Sequence, residues 1–136
     1  MDEINLKVGL TASVETKVFN KSTAEEFGSG SIDVYATPAM ISLMERAALS
    51  SVALHLPKGF TTVGTLVNIR HICATPVGLK VKAVAELIGV DGKKLSFKVE
   101  AYDANEKIGE GFHERYIVNT EKFREKAYLK VNDTEL

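Results

Sequence analysis

The chain has 136 residues, of which 45% are hydrophobic and 26% are charged, and its formal net charge is −1. This length and composition predict a single domain over residues 1–136, with one hydrophobic core. A near-neutral chain without a block of lysine or arginine argues against nucleic acid and anionic membranes as partners. The single cysteine, Cys73, excludes an internal disulfide.

The ends of the chain and its apolar runs bear on its location. Met1 to Ile4 lack the basic and apolar regions of a secretory signal. No apolar run approaches the roughly 20 residues that span a bilayer. We therefore expect a cytoplasmic protein that does not enter a membrane, and we expect its final residues to be frayed.

Periodicity predicts one long helix within a run of about five mostly antiparallel strands. A strand of alternating apolar residues covers Leu10 to Phe19, and a loop rich in serine and glycine covers Lys21 to Ser31. Ile32 to Ala36 is extended and leads into a helix from Pro38 to about His55, which Pro57 ends. The later elements are a strand from Phe60 to Thr75, a strand from Leu79 to Val90, an Asp91-Gly92 hairpin turn, a strand lined by Leu95 to Ala101, a strand from Lys107 to Asn119, and a polar helix from Glu121 to Lys130. A sheet curled around the helix would bury the apolar surface of that helix, which predicts an α+β fold.

The predicted helix carries one carboxylate on an apolar face. Glu45 shares its face with Ile41, Ala48, Leu49 and Val52. An ionised carboxylate in such surroundings is costly unless something pairs with it. Glu45 is therefore a candidate general base or water-orienting group, and the alternative is a carboxylate at the helix edge that pairs with a basic residue in solvent.

Two further polar residues flank this helix. Thr37 is predicted to be its N-cap with Pro38 at the first helical position, where the hydroxyl would lie in the positive field of the helix N-terminus. His71 falls on the face of the long strand that should point at the helix, where it is a core residue or, with a carboxylate from the helix, a proton-transfer group. The other residues predicted on that face are Val63, Thr65, Val67, Ile69 and Cys73. Because Thr37 and Glu45 are about 12 Å apart along the helix, His71, a water or a substrate must lie between them.

Other candidates are weaker. Gly64, early in the long strand, allows close approach of a ligand or marks a bulge. Glu114 and Arg115 are predicted to form surface pairs, Cys73 to be an inert core thiol, and His55 and His113 have no evident partner. The histidines lack metal-ligand spacing and there is no glycine-rich nucleotide motif, so we expect no metal and no cofactor.

These motifs, in this order and spacing, resemble a known family. They are Ala36-Thr37 followed by Leu43-Met44-Glu45, Gly64-Thr65 with His71, Ala74-Thr75-Pro76 with Gly78-Leu79, Gly92 with Leu95-Ser96, Ile108-Gly109, His113-Glu114-Arg115 and Glu121-Lys122-Phe123. The chain resembles the hotdog-fold thioesterases, in particular the fluoroacetyl-CoA thioesterase group, from about Val34 to Phe123. The resemblance implies a five-stranded sheet wrapped around the helix and a dimer whose sheets join edge to edge, with CoA along the interface and basic side chains on its diphosphate.

The resemblance also implies roles for particular residues. Thr37, Glu45 and His71 occupy the positions of the family's catalytic set. Gly64 matches a backbone position that lies against the acyl group, and Arg115 matches a basic position near the pocket. The fluoroacetyl-specific enzyme covers its acyl pocket with a phenylalanine six residues before the threonine. Ser31 occupies that substrate-binding position in this chain, and a serine cannot wall off a pocket as an aromatic ring does.

The sequence therefore predicts an acyl-CoA thioesterase that hydrolyses a small acyl thioester as a homodimer, with assembly into a dimer of dimers left open. Attack by the Thr37 hydroxyl and attack by water both remain open, as does a carrier protein in place of CoA. One rival is a non-catalytic acyl-CoA binding or sensing protein. A second rival, a hotdog hydratase, normally uses an aspartate and a histidine close together at the helix start, and the sequence has no such pair.

Overall fold

The computed structural model describes residues 4–132. The expectations for the first three residues and for residues 133–136 lie outside this range. No helix within it is long and apolar enough to cross a membrane.

Five strands form a single antiparallel sheet, which is not closed. The strands are β1 (Thr11–Lys17), β2 (Phe60–His71), β3 (Lys80–Asp91), β4 (Lys94–Asp103) and β5 (Lys107–Asn119). Their order is β1-β3-β4-β5-β2, so β1 and β2 are the edges. The prediction of an α+β fold with five mostly antiparallel strands is confirmed. The predicted long strand ends earlier than expected, at His71 rather than Thr75.

The long helix α2 (Thr37–Ala53) packs on the inner face of this sheet. Its buried residues recur every three or four positions and are Met40, Leu43, Met44, Ala47, Ala48, Ser51 and Val52. Burial of each large apolar side chain contributes about 1.5–3 kcal/mol. The helix therefore lies against the sheet along one stripe, which fixes where its polar residues emerge.

A bulge changes the face that β2 turns to the helix. The pairing with β5 is irregular just after Gly64, which lies opposite the buried Arg115. Beyond this point Val67 lies opposite the buried His113. A bulge inserts one extra residue, so the inward alternation moves from the even to the odd positions. Val63 and Thr65 were predicted on the face of β2 that points at the helix, and this is wrong, because both precede the change in alternation.

The segment from Lys21 to Ser31 was predicted to be a loop, and this is wrong for part of it. A 3-10 turn (Asn20–Ser22) is followed by the short helix α1 (Ala24–Phe27). The Thr23 hydroxyl accepts from the backbone N–H of Glu26 and caps α1, which ends at Gly28 with a φ of 72°. The sequence signal was the Ser/Thr-rich composition, which suits a helix cap as well as a loop.

A second short helix, α3 (Thr120–Tyr128), follows β5, as predicted for a helix at this end of the chain. The side chain of Asn119 accepts from the backbone N–H of Lys122 and caps it. A final 3-10 turn covers Leu129–Asn132.

Candidate active site

Thr37 does not have the capping role predicted for it. The N-cap of α2 is Ala36, which is fully buried and has no side chain that could accept a hydrogen bond. The Thr37 hydroxyl instead lies 2.7 Å from Nδ1 of His71. The prediction is wrong by one position, because the helix begins at Thr37, so Thr37 is the first helical residue and Ala36 occupies the N-cap. The first-turn N–H groups of α2 are therefore left without a side-chain cap in the described part of the chain.

His71 is half-buried, and its two ring nitrogens have different surroundings. Nδ1 contacts the Thr37 hydroxyl, whereas Nε2 is buried and has no hydrogen-bond partner among the described residues. Burial lowers the pKa of His71 from its ordinary value of 6.5, and the backbone of Cys73 partly opposes this shift. The imidazole is therefore held mainly neutral near pH 7, the form that can accept a proton.

The Thr37–His71 pair opens into a cavity of about 290 Å³. The other walls are α1 with Ser29, the lead-in at Val34 and Tyr35, and the chain from Ile72 to Ala74. Cys73 lies in this wall, and Ser31 is exposed and outside the lining residues. Ser29, two residues before Ser31, is among the lining residues.

Glu45, on α2, lies against a different part of β2 from His71, namely Gly64. A Cβ atom added at Gly64 would be 3.2 Å from Glu45 Oε1, 3.2 Å from Cε1 of His113 and 3.5 Å from Nη1 of Arg115. Three polar side chains therefore converge at the one position where β2 carries no side chain. The crowding at Gly64 suits a position of close approach, and the irregular pairing beside it agrees with the alternative prediction of a bulge.

Arg115 and His113 form a buried network beneath this glycine. The predicted surface pairing is wrong for Arg115, which is 7% exposed; only Glu114 contacts a surface lysine, Lys94, at 3.9 Å. Arg115 Nε donates to the Thr62 hydroxyl at 2.7 Å and Nη2 to the Thr62 carbonyl at 2.8 Å. Burial lowers the pKa of Arg115, and the Glu45 carboxylate opposes that shift.

His113 is the residue that sequence reasoning missed. It is 1% exposed, and Nδ1 lies 2.7 Å from the Leu66 carbonyl while Nε2 lies 3.1 Å from Nη1 of Arg115. A signal was available, because alternation back from the apolar Ile117 places both Arg115 and His113 on the inner face of β5. The signal was missed because the aromatic residues Phe112 and Tyr116 suggested that the other face of β5 points inward, whereas both are exposed in the structure.

Within one chain the predicted residues form two clusters. Thr37 and His71 are together at one end of β2, and Glu45, Gly64 and Arg115 are together seven residues away along the strand. Among residues 4–132, no group of three histidine, cysteine or carboxylate side chains is arranged to hold a metal ion.

An antiparallel five-stranded sheet packed against one long helix is the architecture of hotdog-fold thioesterases. The structure of a Thermus thermophilus hypothetical protein described as a thioesterase superfamily member superposes with a TM-score of 0.84 at 30% identity, over 98% of this chain and 96% of that one. The solved structure of the fluoroacetyl-CoA thioesterase FlK superposes with a TM-score of 0.86 at 34% identity, over 93% and 98% of the two chains.

Sequence comparison narrows this class further. The family model for FlK, fluoroacetyl-CoA-specific thioesterase, matches residues 18–121. The fluoroacetyl-CoA thioesterase of Streptantibioticus cattleyicolor is 42% identical over 98 residues, which are 72% of this chain and 70% of that protein. The chain belongs to this family and is a thioester hydrolase.

Proposed function

We propose that this protein hydrolyses a small acyl-CoA thioester to the free acid and CoA, with Thr37, His71 and Glu45 as its catalytic residues and Gly64 and Arg115 beside the acyl group. Family membership supports the thioesterase chemistry. The single observation that carries the residue assignment is the 2.7 Å contact between Thr37 Oγ1 and His71 Nδ1 at a helix N-terminus that opens into a cavity.

The hydroxyl and the imidazole constitute one half of the site. If the Thr37 O–H donates to Nδ1, the proton of the neutral imidazole is on Nε2. The uncapped N–H groups of the first turn of α2 and the positive end of the helix then suit the developing negative charge on the thioester oxygen. His71 can take a proton from an attacking hydroxyl and later return it to the leaving sulfur.

The buried Nε2–H then needs an acceptor, and the described residues of its own chain provide none. Gly64, which marks the position of the Glu45 carboxylate, is about 20 Å along β2 from His71, since each residue advances a strand by about 3.3 Å. A carboxylate at that distance cannot orient the imidazole. We infer that the second half of the site comes from another chain.

A homodimer formed by antiparallel pairing of two β2 edges would supply it. If Gly64 lies opposite His71 of the partner subunit, the two-fold axis falls near Val67 and Asn68. Every residue from 64 to 68 is exposed in the single chain. Glu45 of the partner subunit then faces the His71 imidazole, and each interface holds two sites. A further dimer of dimers and the cytoplasmic location remain predictions.

The reaction requires no group beyond these. His71, oriented by Glu45, removes a proton from the attacking oxygen, which forms a bond to the carbonyl carbon. The carbon–sulfur bond breaks, and the CoA thiolate receives the proton from the imidazolium. If the attacking oxygen is that of Thr37, a water activated in the same way then hydrolyses the acyl-threonine ester, and if it is that of water, the acid forms directly.

Mixed dimers test this proposal. Thr37→Ala and Glu45→Gln are each expected to lower kcat by at least about 100-fold. When the two inactive variants are mixed and allowed to exchange subunits, one of the two sites in each heterodimer is intact. Thiol release from an acyl-CoA is then expected to recover to about one quarter of the wild-type rate, because half of the dimers are mixed and half of their sites are intact.

The matched control mixes Thr37→Ala with His71→Ala. Both residues belong to the same half-site, so every site in that heterodimer keeps one defect and activity is not expected to recover. Recovery in the control, or none in the first mixture despite verified subunit exchange, would contradict the shared site. A wild-type protein that releases no thiol from a panel of short, branched, aromatic and halogenated acyl-CoAs would refute the hydrolase function itself.

A further inference from the structure

His113 is a buried imidazole that the proposed reaction does not use. It lies on β5 with only 1% of its surface exposed. Burying a polar ring is costly unless its nitrogens are hydrogen-bonded. Both nitrogens of His113 have partners, and those partners are chemically unalike.

The two partners determine the position of the imidazole proton. Nδ1 lies 2.7 Å from the Leu66 carbonyl, which can only accept, so Nδ1 must carry a hydrogen. Nε2 lies 3.1 Å from Nη1 of Arg115, and a guanidinium can only donate, so Nε2 must carry a lone pair. The neutral tautomer with hydrogen on Nδ1 is the one form that satisfies both contacts.

Each contact holds one part of the cluster formed by Glu45, Gly64 and Arg115, here called the Glu45 cluster. Leu66 directly follows the bulge in β2 beside Gly64, so the bond to its carbonyl ties β5 to that bulge. The bond from Arg115 completes a set of three, since the other two go to Thr62. The guanidinium is thereby fixed on the side of Gly64 at which the Glu45 carboxylate lies.

We propose that His113 is a positioning residue, which holds Arg115 and the β2 bulge so that the Glu45 carboxylate is presented to the reacting imidazole, and that it does so only as the neutral Nδ1–H tautomer. This inference rests on the proposed function for its catalytic consequence, whereas the tautomer itself is independent of any activity. Protonation of Nε2 would place two N–H groups against each other and release Arg115.

The surroundings of His113 are consistent with a group kept neutral. It faces Glu45 from α2, Arg115 from its own strand, the Leu66 carbonyl from β2 and the Phe97 ring from β4, whose centroid is 6.1 Å away. Burial and the charge of Arg115 lower the pKa of His113, and the Leu66 carbonyl and Glu45 oppose the shift. The imidazole therefore becomes charged only in acid.

Three substitutions separate this role from simple core packing. In His113→Gln the side-chain oxygen can take the place of Nε2 and accept from Arg115, in His113→Asn the amide can take the place of Nδ1 and donate to Leu66, and His113→Leu does neither. We expect kcat within about 5-fold of wild type for Gln, about 10-fold lower for Asn and at least about 100-fold lower for Leu, with KM changed by less than about 3-fold in all three. If kcat instead follows the melting temperature of each variant, His113 merely fills space and the proposal is overturned.

The pH profile provides a second readout. Below neutrality, both His71 and His113 take up protons, so the acid limb of log kcat/KM against pH is expected to approach a slope of two in wild type and of one in His113→Gln. The exposed His55 supplies the control, and His55→Gln is expected to keep the wild-type profile. An equal slope in wild type and His113→Gln would overturn the proposal even if His113→Leu does not fold.

Imidazole 15N NMR of Glu45→Gln tests the tautomer in a variant that the proposed function makes inactive. We expect the Nδ1 resonance of His113 to show an attached hydrogen and the Nε2 resonance to show none at neutral pH. A hydrogen on Nε2 would overturn this inference and leave the hydrolase proposal standing. A wild-type protein without thioesterase activity but with the expected tautomer would refute the hydrolase proposal instead.

Discussion

Gly64→Ala tests the Glu45 cluster with one added methyl group, and the structure specifies which atoms that methyl would contact. The new Cβ would lie 3.2 Å from Glu45 Oε1 and from His113 Cε1, and 3.5 Å from Arg115 Nη1. Gly64 does not have a positive φ, so the cost comes from contacts rather than from backbone strain. Two neighbours must each move by a few tenths of an ångström, and both belong to the hydrogen-bonded cluster.

The expected magnitudes follow from that crowding. Overpacking of a well-filled site by one methyl costs about 1 kcal/mol at the low end of the usual range, which corresponds to a fall in Tm of about 4 °C for a chain of this size. Displacement of the carboxylate should lower kcat about tenfold, since a misplacement of about 1 Å costs about 100-fold. The effect on kcat therefore exceeds what the small loss of stability would produce at assay temperature.

Thermal unfolding and thiol release from an acyl-CoA measure both quantities on the same preparation. Gly89→Ala is the matched control, because its added Cβ would meet Ser96 at an ordinary 3.5 Å in another part of the sheet, also beside a bulge. That variant is expected to keep the wild-type kcat. Gly64→Ala with unchanged kcat and Tm would show that the three side chains do not converge there, and the account of the Glu45 cluster would fail.

Three further predictions concern the cap, the histidines and the strand edge. Thr37→Val should lower kcat by about 100-fold. Because the hydroxyl bonds His71 and not the helix, the fall in Tm should be smaller than that caused by losing a helix cap, which contributes about 1 kcal/mol. A large fall in Tm would show that Thr37 caps the helix after all. Burial lowers the pKa of both His71 and His113 below 6.5, so the unfolded chain binds more protons than the folded one below that pH. The free energy of unfolding should therefore fall as pH drops below about 6.5 and level off below the folded-state pKa values. A plot of Tm against pH from about pH 7.5 to about pH 5 should have a smaller slope in a His71→Gln/His113→Gln double variant than in wild type. An equal slope in the two proteins would contradict this. Val67→Lys places like charges near the proposed two-fold axis, so sedimentation should show monomers and thiol release should be lost. Ile88→Lys on β3, which is not an edge strand, should cause neither change. A fully active Val67→Lys monomer would exclude the shared site.

Much of the fold was predictable because it depends on local periodicity. Apolar spacing of three and four marked α2, alternation marked the strands, and Asp91-Gly92 marked the turn between β3 and β4. These signals act over a few residues and survive in any tertiary context. Local patterns marked Thr37, Glu45 and His71 only as candidates, and the resemblance to a known family implied that they form one catalytic set, which stays a prediction.

The polar network could not be predicted in this way. Which group the Thr37 hydroxyl bonds depends on an imidazole 34 residues away in the chain. Which groups the Arg115 guanidinium bonds depends on Thr62, which is 53 residues away in the chain. Hydrogen-bond partners distant in sequence settle both questions, and no periodicity in a single segment contains them.

The two-cluster arrangement also explains why an edge strand is left open. A long exposed edge invites pairing with another chain, and proteins usually protect such edges with charge, proline or a covering segment. The middle of β2 carries exposed Leu66 and Val67 instead, and among the described residues β5 is its only sheet neighbour. Within residues 4–132 this edge lies between His71 Nε2, which has no hydrogen-bond partner, and the Glu45 carboxylate, and in the proposed homodimer antiparallel pairing of two such edges would bring these two groups together. Folding of the sheet, assembly of the dimer and completion of the site would then depend on the same stretch of backbone, so a substitution there should affect oligomeric state and activity together.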